Sequence, residues 1–74
     1  MKEIPRISGR EAVKAFGKLG YEKDRQNGSH MILRQGIPPF RRLTVPDHPE
    51  IAKGTLRAIL RQAGITVEQF KRLL

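Results

Sequence analysis

Two side chains in this sequence carry out proton transfer readily near neutral pH: His30 and His48. His30 follows Asn27-Gly28-Ser29 and opens the apolar run Met31-Ile32-Leu33. An imidazole beside cations suits one reaction in particular. RNA brings its own nucleophile, the 2′-hydroxyl. Cleavage then needs a group to take that proton, a group to protonate the leaving oxygen, and positive charge beside the phosphate. Arg34, Arg41 and Arg42 follow His30 closely enough to supply the charge. The plainer reading makes His30 a strand residue with a structural hydrogen bond. His48 lies in Val45-Pro46-Asp47-His48-Pro49, a connector whose histidine can anchor a turn.

Other chemistries fit less well. Cysteine is absent. Asp47, His48 and Glu50 are close in sequence but sit among prolines, without the frame of three or four ligands that a zinc site needs. No metal site is expected. No Gly-rich loop ends in Gly-Lys-Ser/Thr, so no nucleotide cofactor is expected. Gly9 and Gly54 at helix starts could expose backbone donors to phosphate, or simply ease the turn into each helix. Ser29 adjoins His30, but neighbours on a strand point to opposite faces, which disfavours a serine nucleophile with His30 as its base.

Composition narrows the class. The chain has 74 residues, enough for one small domain, 1–74, with modest burial. Its formal net charge is +8, from fifteen basic and seven acidic residues. The pI of 10.9 exceeds the value of about 9 that marks nucleic-acid binders. A polyanionic partner is favoured over charge that serves solubility alone. No apolar run approaches the ~20 residues of a membrane span. Met1-Lys2-Glu3-Ile4-Pro5-Arg6 has no signal-peptide apolar region. A cytoplasmic protein is expected.

The elements that position these groups follow from capping and periodicity. Residues 1–7 read as extended, because Pro5 disfavours helix at Ile4. Ser8 and Glu11 match a capping box. Ala12, Val13, Phe16 and Leu19 form an apolar helical stripe, and Gly20 stops it. Arg10, Lys14 and Lys18 line another, solvated side. Tyr21–Gln26 reads as an edge strand. Asn27-Gly28 is a strong signal for a type I′ hairpin turn, with positive φ at both positions. Ser29–Arg34 is the second strand. Gln35–Phe40 is a loop, and Arg41–Val45 the third strand, ended by Pro46. A helix follows over Gly54–Ala63, burying Leu56, Ile59, Leu60 and Ala63, with Gly64 as its stop. Lys53, Arg57 and Arg61 line a second side of it. Thr66 and Gln69 cap a last helix over Val67–Leu74, with Ile65 stapled to Phe70.

The predicted fold class is therefore α+β: α-β-β-β-α with a short extra C-terminal helix. A three-stranded antiparallel sheet carries its helices on one face. Strand alternation assigns the faces. Met31, Leu33, Leu43 and Val45 go under the helices. His30, Ile32, Arg34, Arg42 and Thr44 go to the open face. An apolar Ile32 left there hints at a partner covering that face, although isolated exposed apolar residues are ordinary.

Gly28-Ser29-His30, Val45-Pro46-Asp47-His48, Gly54-Thr55-Leu56 and Ile59-Leu60-Arg61-Gln62-Ala63-Gly64-Ile65 together resemble the HicA toxin family. The opening helix followed by Leu19-Gly20-Tyr21 fits as well. The resemblance spans nearly the whole chain, in order. It implies the toxin half of a type II toxin–antitoxin pair, with a fold like a double-stranded-RNA-binding domain. It further implies a small basic ribonuclease that cleaves mRNA and is neutralised by a HicB-type antitoxin covering the active site; with no metal site expected, the reading is a metal-independent endoribonuclease. The family's catalytic histidine, the one after Gly-Ser, corresponds to His30. The second histidine position corresponds to His48, to which a catalytic role does not carry over equally. Arg25, Arg34, Arg41 and Arg42 are the candidate RNA-binding residues. Ser29 and His48 are candidate supporting residues.

Two other readings stand beside this one. A non-catalytic RNA-binding module of double-stranded-RNA-binding shape would read A-form shape and phosphates, but the loop between the first two strands gives little reach into a groove. A basic protein-interaction domain would present the open face to an acidic partner. Toxicity that depends on His30 separates the first reading from both.

Overall fold

The structure, a computed structural model, describes residues 3–74. Met1 and Lys2, the start of the expected extended segment, lie outside it. The elements are α1 (Gly9–Gly17), β1 (Tyr21–Asn27), β2 (His30–Gln35), β3 (Arg42–Pro46), α2 (Lys53–Ala63) and α3 (Val67–Lys71). This is the predicted α-β-β-β-α order with a small terminal helix.

The α1 helix starts as its sequence dictates. The Ser8 hydroxyl accepts from Glu11 N at 3.1 Å, and the Glu11 carboxylate accepts from Ser8 N at 2.9 Å. Two of the helix's open backbone donors are thereby satisfied. Ala12, Ala15 and Phe16 form its buried face, while Val13 and Leu19 are half-buried at the margins. Phe16 anchors an aromatic cluster, its ring centroid 5.6 Å from Tyr21 and 5.1 Å from Phe70. Gly20, at φ +89°, turns the chain into β1.

The sheet is antiparallel in the order β1-β2-β3. Met31, Leu33, Leu43 and Val45 are buried as alternation requires. The helices cover that side, α1 against β1 and β3 and α2 against β3. The core also takes in Ile4, Ile7 and Ile51, which carry no periodic signal. Ile51 N donates to Ile7 O at 2.9 Å, tying the leading segment to the connector after β3.

Several boundaries differ from expectation by a residue or more. The hairpin loop is Gly28-Ser29, flanked by the pair Asn27↔His30. Gly28 has φ +63° and Asn27 is not in the positive region. The loop thus has the type II′ pattern, with glycine first, rather than type I′ on Asn27-Gly28. Consequently β2 begins at His30 and Ser29 is a turn residue. Pro46 belongs to β3, paired with His30. This is permitted because β3 is an edge strand, whose outer side needs no ladder donor. The last helix ends at Lys71, where the Arg72 N–H turns to the Glu68 and Phe70 carbonyls.

At the other end of the molecule, Gly64 closes α2 at φ +73°. Thr66 and Gln69 form the second capping box, at 2.8 and 3.0 Å. Ile65 and Phe70 both join the core, as a staple requires.

Candidate active site

The pairing register lays out the open face of the sheet in three rungs, with Pro46 at its rim buried. Asn27, His30 and Pro46 form the first, Arg25, Ile32 and Thr44 the second, and Glu22, Arg34 and Arg42 the third. A bulge between Lys23 and Arg25 puts Arg25 opposite Ile32. Without that extra residue the alternation of β1 would stay in step with Tyr21 and turn Arg25 to the helix side. Consecutive same-face residues on a strand lie ~6.6 Å apart, so the His30 and Arg34 rungs are separated by about 13 Å.

His30 is exposed at the rim beside the hairpin turn. Among the described residues, neither its imidazole nor that of His48 takes part in a hydrogen bond or ion pair within the chain. Both ring nitrogens of His30 are free to meet a ligand. The structural hydrogen bond that would make it a plain strand residue is not formed.

The backbone around His30 is held by a network that sequence patterning does not disclose. Asp47 N donates to Ser29 O at 2.6 Å. The Asp47 carboxylate accepts from Gln26 Nε2 at 3.2 Å and from Arg10 Nε at 3.3 Å. Gln26 Nε2 also donates to Gly28 O at 3.1 Å, and Lys23 Nζ donates to Gln26 Oε1 at 2.7 Å. The turn before His30 is therefore gripped at both of its carbonyls. The Gln26 hydrogen bond, reinforced by Arg10, holds the Asp47 carboxyl below its ordinary range, against the opposing effect of desolvation. The only sequence hint was position: Asp47 follows the end of β3, beside the hairpin.

The candidate residues do not all converge. Arg25, Arg34 and Arg42 share the open face with His30. Arg41 does not join them. Its guanidinium donates to Gln62 O at 3.0 Å, at the end of α2 on the helix side. Free carbonyls at a helix C-terminus attract such a cation. Ser29 supplies a backbone carbonyl to the rim network. His48 is exposed, and its carbonyl accepts from Gly9 N at 2.9 Å. That bond occupies the Gly9 donor considered for phosphate. Among the described residues no three His, Asp or Glu side chains cluster as metal ligands, and no helix is long and apolar enough to cross a membrane.

Chemically, the face offers one free imidazole, three arginines, the Glu22 carboxylate and the half-buried Ile32. That set can move a proton and stabilise an anion. It has no activated side-chain nucleophile of its own.

The sequence model of a family described as HicA toxin of bacterial toxin–antitoxin matches residues 9–65, from the start of α1 to just past the end of α2. No curated protein matches the chain.

Proposed function

The chain belongs to the HicA toxin family of bacterial toxin–antitoxin systems, and from that premise we propose that it is a metal-independent endoribonuclease that cleaves mRNA through His30. Residues 1–74 act as one HicA-like domain in the cytoplasm. A HicB-type antitoxin blocks the toxin by covering the open sheet face. Family membership itself implies an antitoxin partner.

One observation carries the catalytic part: His30 is exposed, unengaged within the chain, and on the same sheet face as Arg25, Arg34 and Arg42. An unengaged imidazole can accept the 2′-hydroxyl proton or protonate the leaving 5′-oxygen. The arginines neutralise phosphates and stabilise charge that grows on the scissile phosphoryl oxygens. The antitoxin would cover the half-buried Ile32 on that face.

The test is expression of wild type and His30→Ala from a tightly repressed promoter, following growth and mRNA integrity. Wild type should arrest growth and fragment mRNA. His30→Ala should do neither, with cleavage by purified protein reduced about 10²- to 10⁴-fold, the usual worth of a general acid–base group. Equal arrest by both proteins would remove His30 from the mechanism. Cleavage by wild type should persist in excess chelator.

A further inference from the structure

Phe40 is an unusual residue that the catalytic reading does not use. It is the most exposed large apolar side chain among the described residues, at 61%. Its backbone lies at φ +57°, a region that bulky residues rarely adopt. Residues held there cost free energy and cluster at ligand sites. The loop that carries it is fixed. Phe40 N donates to Ile37 O at 2.8 Å, and Arg41 N to the Gln35 side chain at 3.3 Å. Gln35 in turn reaches Leu19 O at 3.1 Å, and Gly36 N reaches Gly20 O at 3.1 Å. The aromatic ring is thus presented to solvent from a tied loop.

That loop runs directly into the rung Glu22, Arg34 and Arg42, which holds two of the open face's three arginines. Arg34 and Arg42 are direct cross-strand partners. Like charges in that position repel. Among the described residues neither side chain makes an ion pair or hydrogen bond within the chain. Glu22 faces Arg34 from its other side and offsets part of that repulsion; a phosphate at the arginine pair relieves the rest, and an aromatic two residues from Arg42 adds a surface for a flat ring. Together these features match a nucleotide: phosphate on the arginine pair, base on the phenyl ring.

We propose that Phe40, with Arg34 and Arg42, forms a stacking subsite for single-stranded RNA, remote from the phosphate at His30. The subsite rests on the reading of the open face as the RNA surface and adds the form of RNA it takes. The third rung is about 13 Å from His30. That distance spans at most about four nucleotides at the stacked spacing of ~3.4 Å per residue, and fewer when the strand is stretched. Stacking demands an unpaired base, so the subsite selects single strands over duplex. Because every base has a π face, it confers little sequence preference.

The experiment measures binding without cleavage. His30→Ala protein is titrated into a short fluorescent single-stranded RNA of mixed sequence, and into the matching duplex, by anisotropy. In that background Phe40→Ala should weaken single-strand binding by about five- to hundred-fold. Duplex binding and the salt dependence should not change. Phe40→Trp should restore affinity and Phe40→Leu should not. Phe40→Gly, which suits the positive φ, repeats the test if Phe40→Ala unfolds. Unchanged single-strand affinity would overturn the subsite, as would full rescue by leucine. So would loss of antitoxin neutralisation with RNA affinity intact, since the loop would then be a protein contact. The two readings fail separately. Wild type that binds through Phe40 but never cleaves sinks the catalytic reading alone. Active enzyme indifferent to Phe40 sinks the subsite alone.

Discussion

Two glycines of α1 look alike in sequence and do opposite things. A Cβ on Gly9 would collide with the Pro46 carbonyl oxygen, whereas a Cβ on Gly17 meets nothing within 4 Å. Gly9 is required because the helix start presses on the end of β3 and donates to His48 O. Alanine there gains up to about 1 kcal/mol of helix propensity. It must also push backbone apart, at a cost of about 1–3 kcal/mol for overpacking. Gly9→Ala should therefore lower the melting temperature and Gly17→Ala should hold or raise it. Each kcal/mol is worth about 4–8 °C in a domain of this size. Equal shifts in thermal melts would show that the close approach is absent. The sequence alone cannot separate these glycines. Gly9 could be read only as a turn residue or a phosphate donor, because its partner is 37 positions away.

At the scale of elements, legibility follows locality. The capping boxes were readable because all their atoms lie within four residues. The sheet faces were readable because Met31, Leu33, Leu43 and Val45 impose a period of two that only one register buries. The hairpin was read one residue out. An Asn-Gly pair marks a turn without saying which of the two comes first in it, and the pairing of Asn27 with His30 decides the matter. The Asp47 latch was invisible, since Gln26 and Asp47 are 21 residues apart. Its chemistry gives a pH test. The folded Asp47 pKa is depressed below the ordinary 3.8, first by the Gln26 hydrogen bond. Stability from the charged form is therefore present above that ordinary value and lost as pH falls through the folded one. Wild type should melt above Asp47→Asn at pH 7, and the gap should close as the pH drops below 3.8. Glu11, lowered by Ser8, titrates in both proteins and cancels. A gap constant down to pH 2 would show that the carboxylate charge contributes nothing to the latch.

On the whole molecule, a net charge of +8 says that an anion is favoured but not where it binds. The cations are spread over every side. Arg10, Lys14 and Lys18 line α1, Lys53, Arg57 and Arg61 line α2, and Arg41 is spent on α2's end. The open sheet face adds a free imidazole among its arginines. If RNA lies along that face, Arg25, Arg34 and Arg42 release counterions from it and the helix cations do not. Single strands lose affinity with salt at a slope of about −0.7 per neutralised phosphate. Three contacts give a slope of about −2. Replacing any one of the three with glutamine, in the His30→Ala background, should reduce its magnitude by about 0.7. Arg57→Gln and Lys14→Gln should leave the slope unchanged, and anisotropy across a series of salt concentrations measures it. A slope that responds to helix cations as strongly as to sheet arginines would mean that the protein binds RNA as a diffuse polycation. His30 would then have no fixed phosphate to act on, because a catalytic imidazole needs its substrate held in one register.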